Sequence, residues 1–424
     1  MTQIISIIPF FIALVFFSIA SNVVSQLPPE EGKATEELLN NSSNVTSADV
    51  DVKNGTQMTT SADKDLPDYL QNRIEILKKE QQFVDELNKA QDHWTAVVHE
   101  TFALMDSEQK AFIMGARKTQ AKEYKQMPQQ KKNGGQNLLQ LPKEFDSRKK
   151  WPECAGFIGM VTDQGACGSC WAISAAAVLT DRFCIERLKI GKLTHTNHPA
   201  SYASVQETLE FTPSTDGCGG GWPEKAWKWY AQDGVVTGTD YSTGSGCKPY
   251  LIKPLKDGSA VKDSFCRYQC DSQWPYGYKE GRVFKVKNSP THWHGKAENR
   301  VEDMMREILE NGPIQIIAAI FDDLFNYRNL RSNTRINVYV RSIINNTDIF
   351  EGKGKKVGLH SMKIIGWGEA TGSDGKPVEY WLGVNSWSTD WGLNGLFKWR
   401  RGTDECGIES EGINFGTPEV LHYL

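Results

Sequence analysis

Residues 164–172 read QGACGSCWA. Two cysteines stand three apart in a run of small residues that closes on a tryptophan. Such a pair can be a metal knuckle, a redox couple, a disulfide element, or a nucleophile beside a structural neighbour. A zinc site needs about four Cys or His ligands at fixed spacings; no second pair at this spacing and no nearby histidine accompanies Cys167 and Cys170. A redox pair follows a buried strand in a compact βαβ unit, and the residues before Cys167 do not read as one. The run after Cys170, WAISAAAVLTDRFCIERLKIG, has helix-forming residues, an apolar face and a stop at Gly191, so Cys170 opens a helix. A helix N-terminus favours a thiolate through its partial positive charge and unpaired N–H groups. A histidine within reach would complete the activation as a thiolate–imidazolium pair. The disulfide and nucleophile readings both stay open at this point.

The rest of the chain sets the context. It has 424 residues, 39% hydrophobic and 24% charged, an ordinary globular composition with room for one large domain or two to three smaller ones. A net charge of −4 points away from polyanions, and no nucleic-acid partner is expected. The first charged residue is Glu30, and Ile4–Ala20 is almost wholly apolar. Residues 1–25 therefore read as a secretory signal cut after Ala20 or Ser25. No later segment is apolar enough to span a bilayer, so the mature form is expected off the membrane. Asn40, Asn41, Asn44, Asn54 and Asn345 each begin an N-x-S/T triplet, the acceptor for glycosylation in the secretory route. All nine cysteines follow Leu141. In an oxidising compartment they suggest a bridged domain, and their odd number leaves at least one thiol over.

Residues 26–65 are rich in Ser, Thr, Asn and Asp with almost no aromatics, and read as a disordered, glycosylated spacer. From Leu66 onward Leu70, Ile74, Leu77, Val84, Leu87 and Trp94 recur at mostly three- and four-residue steps, which predicts one or two amphipathic helices. Leu104, Phe112 and Ile113 extend that pattern. KEYKQMPQQKKNGGQNLLQ then breaks it, as an exposed linker open to proteolysis. At LPKEFDSRKKWPEC glycine, tryptophan and cysteine become dense. Beyond about Gly277, β-branched and aromatic runs such as YGYKEGRVFKV, GPIQIIAAI, HSMKIIGWG and EYWLGVNSW predict strands, interrupted by one helix over ENRVEDMMREILENG. Among the histidines of this part, His360 alone starts an apolar strand-like run, and Asn385 sits among tryptophans where its amide can hold an imidazole. His292 and His294 form an H-x-H pair in a polar stretch, expected to be solvated; no metal site and no cofactor are expected.

These residues together resemble the papain family of cysteine proteases, closest to its cathepsin B branch. CGSCW matches the family's C-G-[SA]-C-[WY] signature, and LNKAQDHW is similar to the branch's propeptide. The resemblance runs from about Leu66 to the C-terminus. It implies an α+β, papain-like two-domain fold: a helical left domain, a β-barrel-like right domain, and a helical propeptide. It divides the chain into an inhibitory propeptide at 66–140 and a protease domain at 141–424, with activation between Lys131 and Leu141. By the same resemblance Cys170 is the nucleophile, His360 the general base and acid, Asn385 its orienter, Gln164 an oxyanion donor and Trp387 the shielding indole. Gly220 and Gly221 match the wall along which substrate lies, and Glu411 an acid at the base of a pocket that admits a basic side chain. Cys154–Cys184, Cys167–Cys218 and Cys247–Cys270 match the family's disulfides, and Cys406 an unbridged position.

Four departures qualify the likeness. Phe211 and Thr212 replace two adjacent cysteines, leaving Cys266 without its expected partner. KPYLIKPLKDGSAVKDSF lacks the histidines that grip a substrate's C-terminal carboxylate in cathepsin B. Leu359 stands before His360 where glycine is usual, with Ser361 after it where alanine is common. The stretch from Arg331 to Gly358 is longer than expected. The implied function is a zymogen endopeptidase with little or no dipeptide trimming. It would be a monomer of the lysosome or extracellular space, with peptide or protein substrates and its own propeptide as inhibitor. The alternative is a secreted binding or matrix protein on the same fold.

Overall fold

The computed structural model describes residues 67–118, 141–191, 201–257, 267–279, 282–287, 290–328, 339, 355–372 and 375–420. The signal, the spacer, all five glycosylation triplets, Cys266 and most of the long stretch before His360 lie outside the described residues.

The first element is α1, Asp68–Ala90, which buries Leu70, Leu77, Phe83, Val84 and Leu87 on one side. It carries Asp68 in its first turn and Lys89 in its last, each complementing the helix dipole. Trp94, read from sequence as part of this periodic face, lies beyond the helix end. Gln91 folds a turn around it, its Oε1 accepting from Trp94 N at 2.9 Å and its Nε2 donating to Trp94 O at 2.8 Å. The indole reaches the core through that turn, fully buried. Next come β1, Thr95–Ala96, then α2, Glu100–Ala103, and α3, Ser107–Phe112. The last is closed by a reciprocal capping box between Asp106 and Gln109.

In the domain that follows, β2 is Phe145–Asp146 and α4 is Cys170–Lys189. Helix α4 is buried on nearly every side, from Cys170 through Ile185, as its mostly apolar, alanine-rich first turns allow. Helices α5, Val205–Phe211, and α6, Pro223–Gln232, pack around it, and α7 is Arg300–Asn311. The strands are β3, Thr291–Trp293; β4, Ile314–Phe321; β5, Tyr327–Arg328; β6, Lys356–Thr371; β7, Pro377–Val384; β8, Leu396–Arg400; and β9, Gly412–Phe415. Strands β3-β9-β4-β6-β7-β8 form one antiparallel sheet in that order, with β2 also pairing β6. The path is open among the described residues, with no strand pair closing it into a barrel. Strands β1 and β5 form a separate antiparallel pair, Thr95 opposite Arg328 and Ala96 opposite Tyr327.

Two sequence expectations change. GRVFKV forms no strand; Phe284 and Val286 make single bridges to Val235 and Pro418. His292 and His294 are not a solvated pair. Because β3 pairs with β9, His292 Nδ1 meets Asn414 Oδ1 at 2.7 Å, and burial pushes its pKa down to about 4. His294 Nδ1 meets the Glu411 carbonyl at 3.0 Å.

The disulfides Cys154–Cys184, Cys167–Cys218 and Cys247–Cys270 form as expected, closing loops of 30, 51 and 23 residues. Each contributes about 3–4 kcal/mol by restricting the unfolded chain. At the missing fourth bridge, Phe211 packs on Tyr268 with centroids 4.5 Å apart and Thr212 turns its hydroxyl onto Thr208 O at 2.7 Å. Tyr339, from the long stretch, is fully buried against Trp94, 5.7 Å between centroids, and donates to Asp323 Oδ1 at 2.9 Å.

Polar groups join α4 to the sheet. Ser174 Oγ and Ser361 Oγ lie 2.8 Å apart, and Gln315 Nε2 donates to Trp171 O at 2.9 Å. Lys363 pairs with Asp181 at 2.7 Å, both side chains almost fully buried. This interface aligns the start of α4 with the start of the apolar part of β6.

Candidate active site

Cys170 begins α4 and His360 lies on β6, opposite Ala318. Backbone groups of Ser361, Gly115, Trp171 and Ala116 lower the Cys170 pKa, yet burial dominates and pushes the thiol up to about 11. His360 is fully buried, and burial lowers it to about 4 against the opposing effect of Asn385. Both groups are therefore neutral at physiological pH in this state.

His360 Nε2 lies 2.8 Å from Asn385 Oδ1. The amide orientation is fixed independently, because Oδ1 also accepts from Ser386 N at 2.8 Å. An oxygen only accepts, so Nε2 carries the ring proton and Nδ1 presents its lone pair. Nδ1 has no hydrogen-bond partner among the described residues. The Trp387 ring lies 4.9 Å from the imidazole and is 3% exposed, which keeps water from the His360–Asn385 bond.

Gln164 Nε2 donates to Ile113 O at 2.8 Å and to Cys167 O at 2.9 Å, while Oε1 accepts from Ser386 Oγ at 2.8 Å. Gln164 N also donates to Ser386 O at 2.9 Å. Ser386 thus orients two amides at once, Asn385 through its N–H and Gln164 through its hydroxyl. Tyr250 does related work, donating to Gln164 O at 2.8 Å and meeting Ser169 Oγ at 2.6 Å. Sequence reading missed both residues. Ser386 has no mark in the sequence beyond its place after Asn385, and Tyr250 lies 80 positions from Cys170.

The cleft is filled by the chain's own residues 113–118. Ala116 N donates to Leu359 O at 3.2 Å, Arg117 N to Gly221 O at 2.8 Å, and Gly221 N to Gly115 O at 2.9 Å. These are parallel bridges, Gly115 with Leu359 and Ala116 with Gly221. A Cβ on Gly115 would stand 1.7 Å from Gly168 O, so only glycine lets this segment approach the loop before Cys170 so closely. Gly220, at φ +111°, has the same relation to the visitor: its Cβ would be 2.7 Å from Gly115 O. The Gly221 Cβ would instead strike the Trp171 ring at 2.6 Å, so that glycine answers to the indole beneath it. Leu359 packs beside Ala116, Cys170 and Ile317. Glu411 pairs with Lys118 at 2.8 Å. On the Trp387 ring that lies beside His360, Phe102 stands 5.2 Å away and Phe325 stacks at 5.0 Å and 12°.

A thiol on a helix N-terminus, an amide-oriented imidazole and a glutamine donor in one cleft define a cysteine peptidase site covered by a peptide from its own chain. The comparisons agree. The family model described as papain family cysteine protease matches residues 141–414, and the chain belongs to that family. A cathepsin B-like cysteine proteinase 6 of Caenorhabditis elegans is 32% identical over 345 residues, covering 80% of this chain and 83% of that protein. A gut-specific cysteine proteinase of the same organism is 35% identical, covering 64% and 73%. The solved structure of procathepsin B S9 from Trypanosoma congolense matches at a TM-score of 0.60 and 28% identity, over 80% of this chain and 98% of that one. A digestive procathepsin L2 from Tenebrio molitor larval midgut, 22% identical at a TM-score of 0.57, shares the fold. Within the family this is a cathepsin B-like cysteine peptidase in zymogen form. Among the described residues no helix is long and apolar enough to cross a membrane.

Proposed function

We propose that the chain is the precursor of an endopeptidase of the secretory route, acting in a lysosome or outside the cell, with residues 66–140 as its inhibitory prosegment. The observation that carries this reading is the Ile113 carbonyl on Gln164 Nε2 beside Gly115 and Ala116 over Cys170. A peptide carbonyl already meets the oxyanion donor, while the chain over the thiol denies access to anything else.

On removal of the prosegment, water reaches the site and the burial cost of charge falls. The Cys170 proton passes to His360 Nδ1, giving a thiolate and an imidazolium whose Nε2–H stays on Asn385. The thiolate adds to the peptide carbonyl, and the oxyanion takes hydrogen bonds from Gln164 Nε2 and the Cys170 N–H. His360 then gives its proton to the leaving amine, and water hydrolyses the thioester with His360 as base. Gly220, Gly221 and Glu411 line the acyl side, and Trp387 keeps bulk water from the imidazole. No cofactor enters these steps.

The histidine-free segment between Cys247 and Cys270 supports internal cleavage, since nothing of imidazole type is present there to hold a terminal carboxylate. Digestion of one peptide as free acid and as amide, followed by mass spectrometry, tests this. Internal cuts in both at similar rates are expected. Successive loss of dipeptides from the free acid alone would overturn the endopeptidase reading.

A further inference from the structure

Ser361 follows His360 on β6, and its buried hydroxyl lies where that strand meets the first turn of α4. Ser361 Oγ donates to Ile316 O at 2.9 Å, lies 2.8 Å from Ser174 Oγ and accepts from Gln315 Nε2 at 3.0 Å. Ser174 Oγ in turn donates to Cys170 O at 2.6 Å, and Gln315 Nε2 reaches Ser174 Oγ at 2.8 Å and Trp171 O at 2.9 Å. The Gln315 amide has one orientation, because its Oε1 accepts from Trp227 Nε1 at 2.6 Å and an indole nitrogen only donates. Protons and acceptors balance. One amide proton and the two hydroxyl protons serve the carbonyls of Trp171, Cys170 and Ile316, and the second amide proton is shared between the serine oxygens. Ser174 and Gln315 are buried too, so bulk water does not compete for these bonds. The junction ties the nucleophile's backbone, through Cys170 O and Trp171 O, to the residue next to the base. The Ser361 backbone also lowers the Cys170 pKa, so a displaced Ser361 takes with it a group that favours the thiolate.

We propose that Ser361 is a positioning residue: with Ser174 and Gln315 it fixes the His360 backbone against the start of α4, and so sets the reach from the Cys170 sulfur to the imidazole. The proposal rests on the peptidase reading above. It concerns a position where the family pattern commonly has alanine, which offers no hydroxyl, so this chain adds a bond across the seam between nucleophile and base. The ionisable groups around the junction are Cys170 and His360 themselves, Tyr250, which interacts with Cys170, and, along the same interface, the Asp181–Lys363 pair with Arg182 beside it. Strand β4 presents none. A neutral substitution at Ser361 or Ser174 changes no charge among them, so a shift in the titration of Cys170 reports geometry.

The test is the rate at which the acid-processed full-chain protein reacts with a dipyridyl disulfide across pH, counting only the rate lost in Cys170→Ala. The thiolate attacks one sulfur of the reagent and releases a thiopyridone, so the rate reads the thiolate directly. Ser361→Ala should move the acid limb up by about half a pH unit, making the reaction about threefold slower on its acid side. The kcat/KM for a peptide should follow the same limb, with most of the loss in kcat. Ser361→Thr, which keeps the hydroxyl, should leave the limb in place. Ser174→Ala should shift it in the same direction as Ser361→Ala, and the double variant no further than the larger single change, because the groups act as one unit. An unmoved limb in Ser361→Ala with only a lower melting temperature, or shifts that add in the double variant, would overturn the proposal. Where Ser361→Ala does not fold, Ser174→Ala decides by the same limb. A Cys170 that reacts with the limb of an ordinary thiol, near ~8.5, refutes the peptidase reading instead. The junction is then judged by whether Ser361→Ala raises that limb, and no rise overturns it.

Discussion

Acidification should loosen the prosegment through His99. This residue is 8% exposed, just before α2, with Nε2 3.3 Å from Tyr327 O and the Phe102 ring edge-on at 6.3 Å. Burial lowers its pKa from 6.5 to about 4; the Tyr327 carbonyl opposes that shift, Arg328 adds to it and Asp390 opposes it. A histidine with a lowered docked pKa favours the docked state when neutral. Docking is therefore at full strength above pH 6.5 and weakens as pH falls toward 4. Between pH 7 and pH 5 the loss is about 2 kcal/mol, roughly twentyfold in the open population. The assay is hydrogen exchange of the Val97 amide, which donates to Asn326 O at 2.9 Å, in the full-length Cys170→Ala zymogen, corrected for intrinsic exchange. Protection should drop about twentyfold at pH 5, and much less in His99→Gln, which keeps a donor for the Tyr327 carbonyl but does not titrate. Equal losses in the two proteins would refute the reasoning.

Gly115→Val should yield a zymogen that hydrolyses peptide at neutral pH, because a Cβ there would overlap Gly168 O; an equally silent zymogen would show that residues 113–118 are not the plug. Gln164→Ala should lower kcat about a hundredfold with little change in KM, as loss of an oxyanion donor does. Ser386→Ala should lower kcat about fivefold to tenfold, through the loss of one hydrogen bond that orients Gln164. Lys363→Met should destabilise the protein by about 3–5 kcal/mol in denaturant unfolding, leaving the buried Asp181 carboxylate uncompensated. That carboxylate is already raised to about 6 by burial, with Lys363 and then Arg182 opposing the rise.

The candidate reactive residues are legible because the proposed chemistry demands rare side chains beside local landmarks: Cys170 at a helix start, His360 at the head of a strand-like run, Asn385 among indoles. The disulfides came from the family pattern and not from spacing, which leaves many pairings open. What the sequence hid was every relation that depends on chain crossing. Ser386 and Tyr250 are ordinary polar residues until β7 and the loop at 250 bring them to Gln164. His292 looked solvated because THWH reads as a turn, and only its pairing with β9 buries it. Trp94 fitted a helical period although the helix stops at Ala90, since periodicity does not register a turn built by one glutamine side chain. The docking of residues 113–118 was implied as propeptide behaviour, but the contacts of Arg117 with Asp216 and Trp222 carried no local signal at all.

The central claim is that Cys170 becomes a working thiolate through His360 once residues 113–118 leave. Labelling of the acid-processed protein with a peptidyl epoxide, followed by peptide mapping, addresses it directly. The account predicts one adduct, on Cys170, absent from His360→Ala and from the unprocessed zymogen at neutral pH. An adduct on Cys266 or Cys406 alone, or none after the prosegment has gone, would contradict it.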